Sequence, residues 1–111
     1  MKKLTKHERR VRCTLMSVCR GELATLHARR INYKHLWELL GDRDPWTKKH
    51  TLQIVDWIVN ISEHDRELDM PPLSALVVRV DTGQPGLRWS ASKYQTAVAA
   101  QRACWAYWKP Q

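Results

Sequence analysis

The sequence predicts a mostly α chain with one small β-hairpin. Apolar residues recur at three- and four-residue steps in four segments, near 6–26, 33–40, 45–68 and 92–108, which is the period of one helix face. Residues of the capping type stand ahead of these segments. One stretch differs: LSALVVRVDTGQPGLRW, residues 73–89, is dense in β-branched and aliphatic residues. Its Asp81-Thr82-Gly83 supplies turn chemistry before Leu87-Arg88-Trp89 resumes an apolar run, and Pro85 keeps the return strand short. A lone hairpin cannot bury its apolar face, so Leu76, Val78 and Val80 are expected to have helices laid against them.

The elements follow in order. Thr5-Lys6-His7-Glu8 has the form of a capping box and starts a helix near Lys6. Val11, Leu15, Val18, Cys19, Leu23 and Leu26 form its apolar stripe, weakened at Gly21, where the helix can divide into two pieces. Asn32 caps a short second helix over residues 33–40, with Ile31 and Leu36 placed as a hydrophobic staple and Gly41 as C-cap. Leu36, Leu39 and Leu40 are expected to face inward, with Trp37 on either side. Asp44-Pro45 or Thr47 caps the third helix, whose expected inward stripe is Ile54, Val55, Ile58, Val59 and Ser62, widened by Trp57 and Ile61. Asp69-Met70-Pro71-Pro72 breaks it. Ser92-Lys93-Tyr94-Gln95 opens the last helix, with Tyr94, Ala97, Val98, Cys104, Trp105 and Trp108 on one side and Gln101 interrupting. The terminal Trp105, Tyr107 and Trp108 suit the core of a small domain, or an exposed patch for a partner.

With 111 residues, 43% of them hydrophobic, and six Trp, the chain suits one globular domain, residues 1–111. No apolar run approaches the roughly 20 residues of a membrane span, and MKKLTKHERRVRC lacks the apolar core of a signal peptide, so a cytoplasmic protein without a membrane partner is expected. Three cysteines, Cys13, Cys19 and Cys104, do not suggest a disulfide framework. No His follows Cys13 and Cys19 at zinc-finger spacing, and His7, His27, His35, His50 and His64 form no HxxxH pair. No metal or cofactor is expected.

Charge is the first functional hint. Of the net +8, residues 1–30 carry +7, with nine basic side chains against Glu8 and Glu22, and the other 81 residues carry +1. A concentrated cationic surface attracts polyanions through counterion release; the plain alternative is a solvated helix face.

Helix, short helix, turn, helix and hairpin is the element order of a winged helix-turn-helix, the hairpin being the wing. From Ile31 to Trp89, INYKHLWELLG resembles the ITYGELAxxLG segment of the alkyltransferase-like DNA-binding domain. Pro71-Pro72-Leu73-Ser74-Ala75-Leu76-Val77-Val78 stands where that family has PCHRVV, and Asp81 to Gly86 resembles the glycine-rich turn that follows. The segment also resembles small winged-helix proteins of bacterial and prophage genomes. The resemblance implies a winged-helix scaffold with flanking N- and C-terminal helices. It does not carry over the reaction, because alkyl transfer needs a thiolate activated by an adjacent His and Pro71 to Val78, standing in place of PCHRVV, has neither residue. Where the family has an intercalating arginine at the head of its recognition helix, the matching neighbourhood here has Lys48 and Lys49.

The expected function is therefore non-enzymatic DNA binding of winged-helix type, a regulatory role being one form of it. In this reading Thr47, Lys48, Lys49, His50 and Gln53 face the major groove. Arg79 and Arg88 approach from the wing, and Lys6, Arg9 and Arg10 add backbone contacts. The alternative is a small phage or mobile-element accessory or inhibitor that docks on a host protein or nucleoprotein complex, as a monomer or homodimer. Glu38, Asp56, Glu63, His64 and Asp65 are scattered along helices in the manner of solvated faces, with no nucleophile, phosphate loop or metal pattern, so no enzyme is expected.

Overall fold

A computed structural model describes residues 3–23, 29–40, 48–79 and 96–108, without the side chains of 48, 49 and 51. Within them the chain is mostly helical with a small two-stranded parallel sheet. The order is α1 (Lys6–Cys19), β1 (Ile31–Asn32), α2 (Tyr33–Leu39), α3 (Lys48–Glu67), a 3-10 helix (Leu73–Leu76), β2 (Val77–Val78) and α4 (Ala97–Tyr107).

The capping box opens α1 as its sequence requires. The Glu8 N–H donates to Thr5 Oγ1 at 3.2 Å and the Thr5 N–H donates to Glu8 Oε1 at 2.9 Å. Glu8 is itself buried, and its second oxygen accepts from Asn60 Nδ2, so the cap also ties α1 to α3. Val11, Leu15, Val18 and Cys19 form the buried stripe. The helix stops at Cys19, well short of residue 26. Gly21 adopts φ +74°, its N–H donates to the Val18 carbonyl, and the Glu22 N–H donates to the Ser17 carbonyl, both at 3.0 Å. This is a Schellman ending, for which a glycine in the left-handed region is the preferred residue. Gly21 thus terminates the helix and does not merely weaken it. Leu26 lies outside the described residues.

Asn32 caps α2, accepting from the His35 N–H at 2.8 Å, between buried Ile31 and Leu36. Trp37 turns inward while Leu39 is 37% exposed, the reverse of the expectation for Leu39. The larger ring takes the core position.

The expected first strand of the hairpin is corrected in two ways. Leu73–Leu76 is a 3-10 helix, begun by Pro72, whose carbonyl accepts from the Ala75 N–H at 3.0 Å. Val77–Val78 is a strand, but it pairs in parallel with β1, Ile31 opposite Val77 and Asn32 opposite Val78. Leu73 to Val78 are all buried, with the 3-10 helix in contact with α1, α3 and α4. A short apolar run buried on every side has no periodicity that separates strand from helix, which is why its sequence reads as β. Val80, the turn and the return strand with Leu87-Arg88-Trp89 lie outside the described residues.

Along α3 the buried positions are Ile54, Trp57, Ile61 and Asp65, with Val55, Ile58, Val59 and Ser62 at the half-buried flanks. The inward stripe is thus rotated from the expected one and ends on a carboxylate. α4 begins at Ala97, later than the start expected at Ser92, because Thr96 is extended and caps it, accepting from the Ala99 N–H at 3.1 Å; Ser92 and Tyr94 themselves lie outside the described residues. Val98, expected inward, is 40% exposed. Gln101, expected to interrupt the stripe, is buried and donates through Nε2 to the Ala75 carbonyl at 2.8 Å.

Asp65 joins these pieces. It has no exposed surface, receives Arg12 Nε at 2.9 Å from α1 and lies 3.1 Å from His64 Nδ1. Its Oδ2 faces the Leu73 N–H at 3.5 Å, at the entry to the 3-10 helix. The Asp65 carbonyl accepts from the Met70 N–H at 2.8 Å, closing α3 around Asp69 at φ +55°. Removing one partner of a buried ion pair strands the other, so Asp65→Ala should lower the unfolding free energy by about 3–5 kcal/mol. The paired Arg12→Met/Asp65→Leu variant should lose less, and urea denaturation of both variants measures the difference.

Candidate nucleic-acid interface

The outer side of α1 carries the cationic stripe. Lys6, Arg9, Arg10 and Cys13 are exposed and Ser17 and Arg20 are half-exposed, all on the side opposite the buried Val11, Leu15 and Val18. At about 1.5 Å rise per residue the stripe is about 21 Å long from Lys6 to Arg20. Two of its members are tethered. Arg9 donates to the Leu4 carbonyl at 3.3 Å, and Arg10 reaches across to the Leu40 carbonyl at the end of α2.

The head of α3 is linked to α1 through stacked rings. His7 stacks on Trp57 at 5.9 Å between centroids, Trp57 on Trp37 at 6.2 Å, and Trp37 on His50 at 4.0 Å. His50 is therefore held flat on Trp37. Gln53 is exposed beside Leu52, which is 69% exposed. Lys48 and Lys49 occupy the first turn of α3, with side chains outside the description, and Thr47 and Arg88 lie outside it altogether. Arg79, directly after β2, is exposed. The structure thus gathers Lys6, Arg9 and Arg10 on one surface and places His50 and Gln53 on another element.

A second group was assigned to charge counting and core filling by its sequence, and only the fold assembles it. Arg12 and Arg20 both lie over the Trp108 ring, their guanidinium carbons 5.5 and 5.8 Å from its centroid. Tyr107, 56% exposed, stands edge-on to the same ring at 4.9 Å and 70°. Alongside, Arg29 lies 5.5 Å over Trp105 and donates from Nε to the Cys19 carbonyl at 2.7 Å, while Trp105 Nε1 donates to the Arg29 carbonyl at 3.1 Å. The half-buried Trp105 and Trp108 pack against the core, and Tyr107 lies on the surface, so the terminal aromatic cluster is part core and part surface.

The arginines of this group differ in what they have left to offer. Arg12 is committed: Nε pairs with Asp65, and its two terminal nitrogens reach Met16 Sδ and Met70 Sδ at 3.7 Å. Arg20 is not. It meets Glu22 at 3.9 Å, beyond hydrogen-bonding distance, and its buried Nε has no acceptor among the described residues. Trp108 Nε1 is a second buried donor in the same condition. The sequence signal for this group was weak, since Arg20 and Trp108 are far apart in the chain.

The candidate acids and bases are distributed unevenly. Glu38 and Asp56 are exposed and Glu63 is half-buried, but Asp65 is fully buried against Arg12 and His64, which corrects its expected place on a solvated face. Ser74 is buried, and its hydroxyl has no hydrogen-bond partner among the described residues. Among those residues no three His, Cys, Asp or Glu side chains come together as a metal site, and no helix is long and apolar enough to cross a membrane.

Burial pushes the Cys19 thiol up from 9.0 to about 11, against the pull of Arg29 and Arg20. Burial, with smaller contributions from Cys19 and Asp65, drives Cys104 higher still. Both are protonated at neutral pH, whereas Cys13 is exposed. An aromatic disulfide reagent should therefore label one thiol quickly in the folded protein and all three in denaturant. A thiol whose folded pKa is raised stabilises the fold below the unfolded value of about 9, and that contribution is lost as pH rises toward about 11. Over that interval the stability of Cys19→Ala should fall less steeply than that of the parent, as followed by thermal melts.

No family model, no curated protein and no solved structure matches this chain.

Proposed function

We propose that this protein is a non-enzymatic DNA-binding protein built on a winged-helix arrangement, with α2 and α3 as its helix-turn-helix pair. The observation that carries the reading is the α1 stripe. Lys6, Arg9, Arg10 and Arg20 share one outward side within the thirty residues that hold +7 of the +8 net charge. Cations spaced along a helix meet successive phosphates and displace condensed counterions, which supplies affinity without sequence preference. Sequence readout in this proposal falls to the head of α3. There Lys48, Lys49 and the exposed Gln53 stand beside His50, whose ring is pre-positioned by Trp37. Arg79, exposed directly after β2, serves as a further phosphate contact.

Salt-dependent fluorescence anisotropy with a labelled duplex tests this. Micromolar or tighter binding is expected at about 50 mM salt, weakening steeply as salt rises. Lys6→Gln and Arg9→Gln should each reduce the slope of log K against log salt by about one while leaving sequence preference unchanged. Absence of binding to any duplex at low salt overturns the proposal. A partner protein that copurifies stoichiometrically after nuclease treatment would favour the docking alternative.

A further inference from the structure

We infer that Arg10 is a positioning residue: it caps the end of α2 from the outer side of α1, thereby holds His50 and the head of α3 in place, and is not itself a phosphate contact. The inference rests on the DNA-binding reading above for its effect on affinity, and it separates Arg10 from Lys6 and Arg9 on the same side of α1. The guanidinium donates from Nη2 to the carbonyl of Leu40, the C-cap residue of α2, thirty positions along the chain. Arg9, in contrast, donates to the Leu4 carbonyl within its own segment. A helix leaves its last carbonyls without internal partners and carries partial negative charge at that end, so a basic side chain in the last turn is favourable. The last turn of α2 has none and holds Glu38, whose charge has the wrong sign there. Arg10 supplies the missing cation from another helix, through a charge-assisted bond.

The turn that Arg10 caps also carries the head of α3. The Leu40 N–H donates to the Trp37 carbonyl at 3.2 Å, so the residue that Arg10 holds is bonded directly to Trp37. The buried Trp37 ring supports His50 at 4.0 Å between centroids and 15° between planes. Arg10, Leu40, Trp37 and His50 therefore form one line of contact from the outer side of α1 to the first turn of α3. Removing the guanidinium disturbs this line before any DNA arrives, whereas removing a phosphate contact changes only the complex.

The test uses the full chain and compares Arg10→Met, which keeps an apolar stem and removes every donor, with Lys6→Gln and Arg9→Gln. In the proton NMR spectrum of the free protein the His50 imidazole protons are shielded by the Trp37 ring beneath them, and His50→Gln identifies them by their loss. Arg10→Met should move these signals downfield, and Arg10→Lys, which keeps a charge and a donor on a shorter side chain, should restore them in part. Lys6→Gln and Arg9→Gln should leave them at the parental position. With a labelled duplex, Arg10→Met should weaken binding about tenfold at each salt concentration, the scale of one hydrogen bond to a charged group, without changing the slope of log K against log salt. Lys6→Gln and Arg9→Gln lower that slope by about one, as phosphate contacts do. Circular dichroism checks each variant for parental helicity, and Arg10→Gln replaces Arg10→Met if the latter loses it. Two results overturn the inference: parental His50 signals in the Arg10→Met protein, or a salt slope lowered by about one in that protein. Where the parent binds duplex, either result leaves the DNA-binding proposal standing and returns Arg10 to the phosphate contacts. If the parent binds no duplex, that proposal falls and the His50 signals alone decide the place of Arg10.

Discussion

The buried carboxylate of Asp65 is the interaction on which the arrangement depends. A charge with no exposed surface persists only where partners replace its lost water, and here those partners come from separate parts of the chain. Arg12 reaches it from α1, His64 from its own turn, and the Leu73 backbone faces it from the 3-10 helix. The contact sits where α3 ends and the chain turns into the short segment that α1, α3 and α4 enclose. It therefore sets the end of α3, the entry to the centre of the fold and the position of α1 at once. Glu8 plays a parallel part near the other end of α1, where a capping carboxylate also receives Asn60 from α3.

The same contact shapes the surface. By pairing with Arg12, Asp65 leaves that guanidinium as a flat support over Trp108, while Arg20, the cap residue after α1, lies over the same ring near Glu22. The core rings Trp57 and Trp37 continue outward into a stacked series with His7 and His50, which couples the first turns of α1 and α3. Stacked rings of this kind fix orientation through shape and quadrupole, so the two cationic helix starts keep a defined relation. Cationic side chains thus stand on an apolar, aromatic framework.

Helix capping and amphipathic spacing were legible in the residues. Thr5 with Glu8, and Asn32 with His35, act within four residues of one another, and such local chemistry needs no knowledge of the rest of the chain. The α1 stripe followed from the same periodicity. The candidate site was legible only in its charge. Lys6, Arg9 and Arg10 could be placed on a helix face, but His50 could not be seen to lie on Trp37, nor Arg20 on Trp108, because those contacts join residues from different elements.

What the sequence by itself determined is where α1 and α2 begin, which side of α1 is apolar, and that positive charge gathers in the first thirty residues. Each of these depends on neighbours within a few positions. Tertiary structure alone decided that Leu73–Leu76 is a buried 3-10 helix, that Val77–Val78 pairs in parallel with Ile31–Asn32, and that Gln101 and Asp65 belong inside. The physical reason is common to all three. An apolar run enclosed on every side shows no alternation, a parallel partner leaves no mark in adjacent residues, and a polar side chain is buried only where distant groups satisfy it.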